Sequence, residues 1–549
     1  MSSVSSVSPR GASTGVWLFG PAADLLFGCG LLYALLFAAL TGFGDSLRAA
    51  QSAYLIPVLL VLVSLPHYGA TLLRVYEQRS DRRRYALFTV WATLAVAAVF
   101  AASVYDAAIG SLLLTLYVTW SPWHYTGQNY GLTVMFLRRA GIAVEPALKR
   151  WLHASFVLSY VLVFLSFHES GGSGVPRFRA PLGAGGTLAF LPIGIPDGVV
   201  VPVFDAAGVA YLACLGVCAA RLLRRAPAGR LLPAAMVVLS QALWFSVPIG
   251  LRLARVQTGA PLVELYSVGV GAWVALAHAA QYLWVTSYYA RAAPGWHGPA
   301  RYAGKVLVAG ITVWTLPVLL FSPDLLGPAS SLAAIAMLVA SAVNVHHFIL
   351  DGAIWKLRDG RISAVLLRSR PDSEGLAAAS SWVRRAVWAC ASAWALLHTA
   401  GSIELAVRSA QDPSDPSSLH AAVSRLRWLG LDDADARFRL GVDAGMRGDL
   451  SAARQEFERS LLLQETGRGW VGLAHTEFHD GHPEQAQAAL LHAVRVEPDD
   501  PETWLRASEV WSALGDEGRA RDALARAASL APERADIAAR LRTLAASRP

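Results

Sequence analysis

The chain has 549 residues, of which 54% are hydrophobic and only 16% are charged, and its formal net charge is +8. Soluble globular proteins carry about 25% charged residues, so this composition excludes a chain that lies mostly in water. The positive charge does not indicate nucleic-acid binding, because the arginines lie in short loops between apolar segments and no basic segment is interleaved with aromatic residues.

The N-terminal part is predicted to be a transmembrane domain. Residues 1–15 are rich in serine, and we expect them to be disordered. The apolar segment that follows is too long for a signal-peptide core and has no clear cleavage site, so it should remain as the first span. About 20 apolar residues cross a bilayer as a helix. By this criterion the domain, at 16–407, has about eleven spans, near residues 16–40, 54–76, 85–105, 109–137, 151–167, 201–223, 231–251, 261–290, 303–322, 329–357 and 387–407.

Basic residues are concentrated in alternate loops between these spans. The basic loops lie at 77–84, 138–150, 221–225, 291–301 and 358–385. The positive-inside rule places all of them in the cytoplasm. The N-terminus is then cytoplasmic, and an odd number of spans places the C-terminal part outside the cytoplasm. We therefore expect a multipass protein of a bacterial inner membrane, with its C-terminal domain in the periplasm.

Four of the predicted spans carry histidines within their apolar length. Ionisable residues at membrane depth are costly and point to function. The loop charges indicate that all four spans run from outside to inside, and the histidines precede basic cytoplasmic residues by seven to fourteen positions. At about 1.5 Å per residue this spread is roughly 10 Å, which helix tilt can absorb. One layer in the cytoplasmic half should therefore contain His67, His124, His278, His346 and His347.

Each of these histidines is followed, three to five positions later, by a polar residue that shares its helix face. These residues are Thr71, Gln128, Gln281, Tyr282 and Asp351. Imidazoles that bind a metal normally have their second nitrogen oriented by such groups. We therefore predict a metal site whose ligands are His67, His124, His278, His346 and His347. Asp351 would be a further ligand or a supporting group, and ligands or substrate would be oriented by Gln128, Gln281, Tyr130 and Tyr282.

Imidazoles with a carboxylate suit several transition metals. Iron is our first candidate for this site, and zinc, copper or manganese are alternatives. Haem, held by two histidines on facing helices, is a further alternative. Histidines can also hydrogen-bond across a bundle simply to hold its helices together.

The C-terminal part contains a periodic pattern of small residues. One and the same interval separates Gly481 from Gly515, Ala486 from Ala520, Ala493 from Ala527, and Pro498 from Pro532. A period of about 34 residues with a closing proline resembles the tetratricopeptide repeat (TPR), a helix–turn–helix unit. The resemblance implies a TPR-like α-solenoid at 434–549, after a linker at 408–433, that binds a protein partner through its concave face. The fold class predicted for the whole chain is all-α, a polytopic helix bundle followed by this solenoid.

The histidine segments also carry a resemblance. The segments PHYGATLLRVY, WHYTGQNYG, HAAQYLW and HHFILDGAIWK are similar to those of a family of bacterial multipass membrane proteins with no established activity. In site chemistry they resemble histidine-rich membrane metalloenzymes, such as fatty-acid desaturases and hydroxylases or bacterial carotene-cleaving dioxygenases. The desaturase boxes HxxxH and HxxHH are absent from the membrane part, so a mononuclear site with four histidines is the better match.

These features lead to two expectations for function. The first is an integral-membrane, metal-dependent oxidoreductase or oxygenase that takes a lipid or isoprenoid substrate directly from the bilayer. The second is a non-catalytic membrane scaffold, haem-binding protein or transporter whose external repeat domain recruits a partner.

Overall fold

Helices lie within each of the predicted spans. The computed structural model describes residues 15–39, 55–77, 85–170, 179–182, 186–250, 268–292, 296–329, 331–355, 382–410 and 416–546. These residues form twenty helices and one two-stranded sheet, which confirms the all-α class. The helices up to Ala410 are α1 (Pro21–Gly28), α2 (Leu31–Ala39), α3 (55–76), α4 (Leu87–Tyr105), α5 (Ala107–Arg139), α6 (Pro146–His168), α7 (Asp197–Leu223), α8 (Ala228–Gly250), α9 (Val268–Arg291), α10 (Pro299–Leu320), α11 (Leu332–Ile354) and α12 (Trp382–Ala410).

Seven of the described helices are long and apolar enough to cross a membrane. They are α4, α6, α7, α8, α10, α11 and α12. The first predicted span is broken into α1 and α2, which are bent by 59° and would form an eighth span together. Gly30 has a φ of +77° at this break, a conformation that favours glycine. The hydroxyl of Ser240 on α8 holds the bend by donating a hydrogen bond to the Cys29 carbonyl (2.8 Å).

Helices α3 and α10 cross in close contact at two glycines. A Cβ atom on Gly69 would overlap the carbonyl oxygen of Val306, and one on Gly310 would overlap that of Leu65. Small residues at such crossings let two helix backbones approach closely. Because His67 lies two residues before Gly69, this crossing fixes the position of the first histidine of the predicted layer.

Helices α5 and α11 pack against each other and run parallel. Gly110 lies beside Leu338 near the start of both helices, and further along the ring of His124 stacks on that of Phe348. A hairpin of β1 (Arg179–Leu182) and β2 (Gly186–Ala189) covers their first turns, with Leu188 fully buried. The sequence pattern predicted only a loop there, because these strands are very short.

Loops on alternate sides of the predicted topology lie at opposite ends of the bundle. At one end, the hydroxyl of Tyr105 donates a hydrogen bond to the carbonyl of Leu326 (2.5 Å). At the other end, Arg225 and Glu145 form an ion pair at 2.7 Å. The long helix α5 separates the two ends.

The C-terminal part forms a row of helix pairs. The first of these helices packs on α12. Each of the three pairs that follow packs on the next, and a last helix covers the end. Each pair is joined by a turn with a glycine of positive φ, at Gly448, Gly481 and Gly515. These helices are α13 (Pro416–Leu426), α14 (Ala434–Met446), α15 (Leu450–Leu463), α16 (Gly467–His479), α17 (Pro483–Val496), α18 (Pro501–Ala513), α19 (Glu517–Leu530) and α20 (Ala535–Ala546).

A carboxylate also links this row to the loop between α10 and α11. Asp324, in the loop between α10 and α11, accepts hydrogen bonds at 2.5–2.9 Å from the guanidinium groups of Arg427 and Arg459. Arg459 also donates to Asp432 at 2.7 Å. Burial raises the pKa of the Asp324 carboxyl, but the hydrogen bonds and charges of Arg459 and Arg427 outweigh burial and leave this pKa below its ordinary value.

We predict that Asp324→Asn loosens the junction. Arg427 would lose its carboxylate partner and Arg459 would keep only Asp432, at a cost of about 1–3 kcal/mol. Backbone amides at 427–430 should then exchange faster in hydrogen–deuterium exchange. Acid should act in the same way on the wild type. Because the pKa of Asp324 is depressed in the folded state, its stabilisation is present above the unfolded value of about 3.9 and is lost as pH falls below it.

The control for this junction is Asp435→Asn, which removes an exposed ion pair with Arg468 and should leave exchange at 427–430 unchanged. Equal exchange in Asp324→Asn and the wild type would contradict the proposed role of this carboxylate.

We also predict that Gly69→Ala destabilises the bundle. The added methyl group has to push α3 and α10 apart, at a cost of about 3 kcal/mol or more. The apparent melting temperature of the detergent-solubilised protein should therefore fall. Gly216→Ala on α7 is the matched control, since a Cβ there would meet no described atom within 4 Å. A similar melting temperature for both variants would show that the crossing is not tightly packed.

Candidate metal centre

Four imidazoles from four helices converge inside the bundle. His67 lies on α3, His124 on α5, His278 on α9 and His347 on α11. Each offers one ring nitrogen, and these four nitrogens all lie within 4.8 Å of one another. Two nitrogens bound to one ion at about 2.1 Å are at most about 4.2 Å apart. Small shifts of the side chains would therefore bring all four to a single ion, and the group could bind a metal.

The rings meet edge to face and are deeply buried. The ring centroids of neighbouring pairs are 4.3–5.0 Å apart, with interplanar angles of 70–83°. The side chains of His67, His278 and His347 are only 1–2% exposed, whereas that of His124 is 9% exposed. The imidazole of His124 is therefore the least covered of the four, and we call this set the histidine cluster.

Most of the ring nitrogens in the histidine cluster lack partners among the described residues. Both nitrogens of His67 and His278, and the Nε2 atoms of His124 and His347, are buried without a hydrogen bond. An unsatisfied buried polar group costs about 1–3 kcal/mol. Histidines that merely join helices would hydrogen-bond across the bundle, so these nitrogens do not fit that alternative.

Asp351 faces the histidine cluster with one oxygen. Its Oδ2 lies 3.5 Å from Nε2 of His347 and 3.9 Å from Nε2 of His124. Its Oδ1 accepts hydrogen bonds from the hydroxyls of Tyr282 (2.7 Å) and Thr71 (3.2 Å). One carboxylate oxygen is thus fixed by α3 and α9, while the other points toward the imidazoles.

Two further contacts complete this network. The Thr71 hydroxyl lies 2.9 Å from Nδ1 of His347, which orients that ring. The indole N–H of Trp355 donates to the Tyr282 hydroxyl at 3.1 Å. Groups that orient a ligand in this way normally strengthen metal binding.

His346, which the sequence pattern grouped with the other ligands, does not lie in the cluster. Its Nε2 is 2.8 Å from the Thr93 hydroxyl on α4. Consecutive residues on a helix are separated by about 100°, so His346 and His347 face different neighbours. The ligand set predicted from the sequence therefore loses this member.

Three residues predicted to orient ligands have other contacts. Gln128 donates to Gln281 at 2.5 Å, and Gln281 donates to the carbonyl of Gly28 at 2.9 Å. In the described part of the chain these amides tie α5 and α9 to α1. The ring of Tyr130 packs against His153 on α6 (centroids 5.2 Å apart), away from the cluster.

Two aromatic neighbours were missed. The ring of Tyr125 stacks on His278 with centroids 4.1 Å apart, and Phe348 stacks on His124 at 4.4 Å. Each follows a cluster histidine directly in the sequence, but each stacks on a histidine of a different helix. The only signal in the sequence was that Tyr125 and Phe348 each directly follow a histidine. This adjacency could not reveal which histidine each ring stacks on.

No family model matches the chain, and no curated protein matches it. The resemblance drawn from the histidine segments therefore stays a prediction.

Proposed function

We propose that this protein is an integral-membrane, metal-dependent enzyme whose metal ion is held by His67, His124, His278 and His347. The observation that supports this proposal is the convergence of four imidazoles, most of whose ring nitrogens are buried without a described hydrogen bond. A bound ion would take one nitrogen from each ring and so offset the cost of burying them. Asp351 would be the charged group nearest to the ion.

The reaction that we propose is the oxidation of a lipid or isoprenoid. Imidazole ligands suit redox-active metals, so iron is our first candidate, with copper, manganese or the redox-inactive zinc as alternatives. An iron ion would supply one-electron chemistry with dioxygen as the oxidant. The chain's own contribution would be to exclude water with its apolar helices, to orient His347 through Thr71, and to hold Asp351 beside the reacting centre as a proton acceptor.

A haem fits the histidine cluster less well. Bis-histidine ligation needs two imidazoles on opposite faces of a planar macrocycle. Here the rings of four histidines lie edge to face at 4.3–5.0 Å. Neighbouring rings at these distances have no space between them for a planar macrocycle.

We propose further that the helix pairs α14–α19 are a TPR-type solenoid that binds a protein partner. Their glycine turns, at Gly448, Gly481 and Gly515, recur at nearly equal intervals, close to the period of about 34 residues that is typical of these repeats. The row contacts Asp324, which lies in a loop with little positive charge. By the positive-inside rule such a loop would face the periplasm of a bacterial inner membrane.

Metal analysis tests the site. We predict that the purified full-length protein holds about one metal ion per chain and that His124→Ala and His347→Ala lose most of it. Loss of a group that only hydrogen-bonds to a ligand typically lowers metal affinity about 10–100-fold, and loss of a ligand itself should cost more. His346→Ala is the matched control, since this neighbouring imidazole faces Thr93, and it should keep its metal. Elemental analysis by mass spectrometry measures the metal content of the wild type and of the three variants.

Two results would count against the metal site. One is a wild type that stays metal-free after growth and purification with added iron, copper, manganese or zinc. The other is bound metal that persists unchanged in both His124→Ala and His347→Ala.

Chelator competition tests the supporting network. We expect Asp351→Asn and Tyr282→Phe to lower metal affinity by about 10–100-fold, because both disturb the groups that orient His347 and face the ion. Thr93→Val, which removes the partner of His346, should have no effect. If Thr93→Val weakened binding as much as Asp351→Asn, the network around Asp351 would have no special role.

A further inference from the structure

Three glycines beside the histidine cluster are not explained by packing. A Cβ atom on Gly127 or Gly131 of α5, or on Gly352 of α11, would meet no described atom within 4 Å. Gly69 and Gly310 show the opposite case, since a Cβ on either would overlap the backbone of the facing helix. Glycine in a membrane helix usually serves such close packing, and here it leaves open space instead.

Each of the three glycines lies one or two helical turns after a member of the stacked pair His124 and Phe348. Gly127 and Gly131 follow His124 by three and seven residues and so share its face of α5. Gly352 follows Phe348 by four residues, and Phe348 stacks on His124. Because α5 and α11 run parallel, the next turn places Gly352 at the same level along the helix axes as the two glycines of α5. We call the surface formed by Gly127, Gly131 and Gly352 the glycine opening.

The glycine opening continues the exposed apolar face of α5. Leu112, Leu116 and Trp123 are exposed on this helix, and their spacing places them on the same side as Gly127. An exposed apolar face of this length is unfavourable in water and is what a helix presents to lipid. Gly127 and Gly352 are themselves exposed, so the opening faces the same surroundings as these side chains.

At its inner end the glycine opening reaches the least covered member of the histidine cluster. His124 is 9% exposed, and its Nε2 is buried without a described hydrogen-bond partner. Oδ2 of Asp351 lies 3.9 Å from this nitrogen, and Asp351 directly precedes Gly352. A chain that passed over the glycines would therefore meet His124 and Asp351 first.

We propose that the glycine opening is a lateral entrance through which an acyl or isoprenoid chain passes from the bilayer to the metal site. The inference rests on the proposed function for its chemistry, but the entrance itself is a property of α5 and α11. The glycines leave room for methylene groups next to His124, and the apolar face of α5 supplies a path from the lipid. A larger side chain at Gly127 or Gly352 fills that path.

The test uses the full-length protein in lipid nanodiscs that contain a phospholipid with a diazirine near the end of one acyl chain. After illumination, mass spectrometry measures cross-links to the peptide that contains Phe348 and Gly352. The wild type should be labelled there, and Gly127→Leu and Gly352→Leu should show a severalfold drop. Gly127→Ala, a smaller change that keeps the protein folded, should give an intermediate value.

Gly216→Leu is the matched control, because Gly216 is an exposed glycine of α7 with no described atom within 4 Å of its Cβ, and its labelling should equal that of the wild type. An unlabelled wild-type peptide, or equal labelling in wild type, Gly127→Ala and both leucine variants, would overturn the entrance. Metal content is measured on the same samples, so loss of the proposed function and loss of the entrance give different results. Leucine variants that keep their metal and lose only the cross-links support the inference.

Discussion

Buried imidazoles that lack hydrogen-bond partners impose the main constraint on this protein. Six ring nitrogens of the histidine cluster make no hydrogen bond to the described residues, and two of them, the Nε2 atoms of His347 and His124, have only the Asp351 carboxylate nearby, at 3.5 and 3.9 Å. At about 1–3 kcal/mol for each buried unsatisfied group, their total cost rivals the ~5–15 kcal/mol by which a folded domain is stable. A metal ion satisfies one nitrogen of each ring at a single point, which is why the geometry favours a metal site over a set of helix-joining histidines.

The rest of the bundle positions helices that are far apart in the sequence. His67 lies on α3 and His347 on α11, with seven helices between them along the chain, yet their ring centroids lie 4.3 Å apart. The close crossing at Gly69 and Gly310 sets the depth of α3, and the pair Gln128 and Gln281 joins α5 to α9. Close packing at glycines and polar contacts between side chains thus fix the relative positions of the helices that carry the histidines.

Much of this arrangement could be predicted from the sequence because it depends on length and spacing. Apolar length located the helices, and the distance from each histidine to the next basic loop indicated that His67, His124, His278 and His347 share a layer. Rotation about each helix axis could not be predicted in the same way. The pattern therefore grouped His346 with His347, although its ring lies about 100° further round the helix and faces Thr93.

Contacts between distant elements were also beyond sequence reasoning. The stacking of Tyr125 on His278 depends on how α5 and α9 face each other, and both residues could equally have met other neighbours. The bend at Gly30 was missed because a glycine in an apolar run gives no sign of positive φ. The short hairpin at 179–189 was missed because its strands carry too few residues for an alternating pattern.

The junction at Asp324 has a mechanical consequence. Helix α11 begins eight residues after Asp324 and carries His347 fifteen residues further on, about 22 Å along the helix axis. Asp324 therefore connects the C-terminal helices to the near end of a stiff rod whose far half holds a histidine of the cluster, in addition to the contacts that these helices make with α12 and α10. Force applied to the C-terminal helices would reach that rod through the ion pairs with Arg427 and Arg459 as well as through α12.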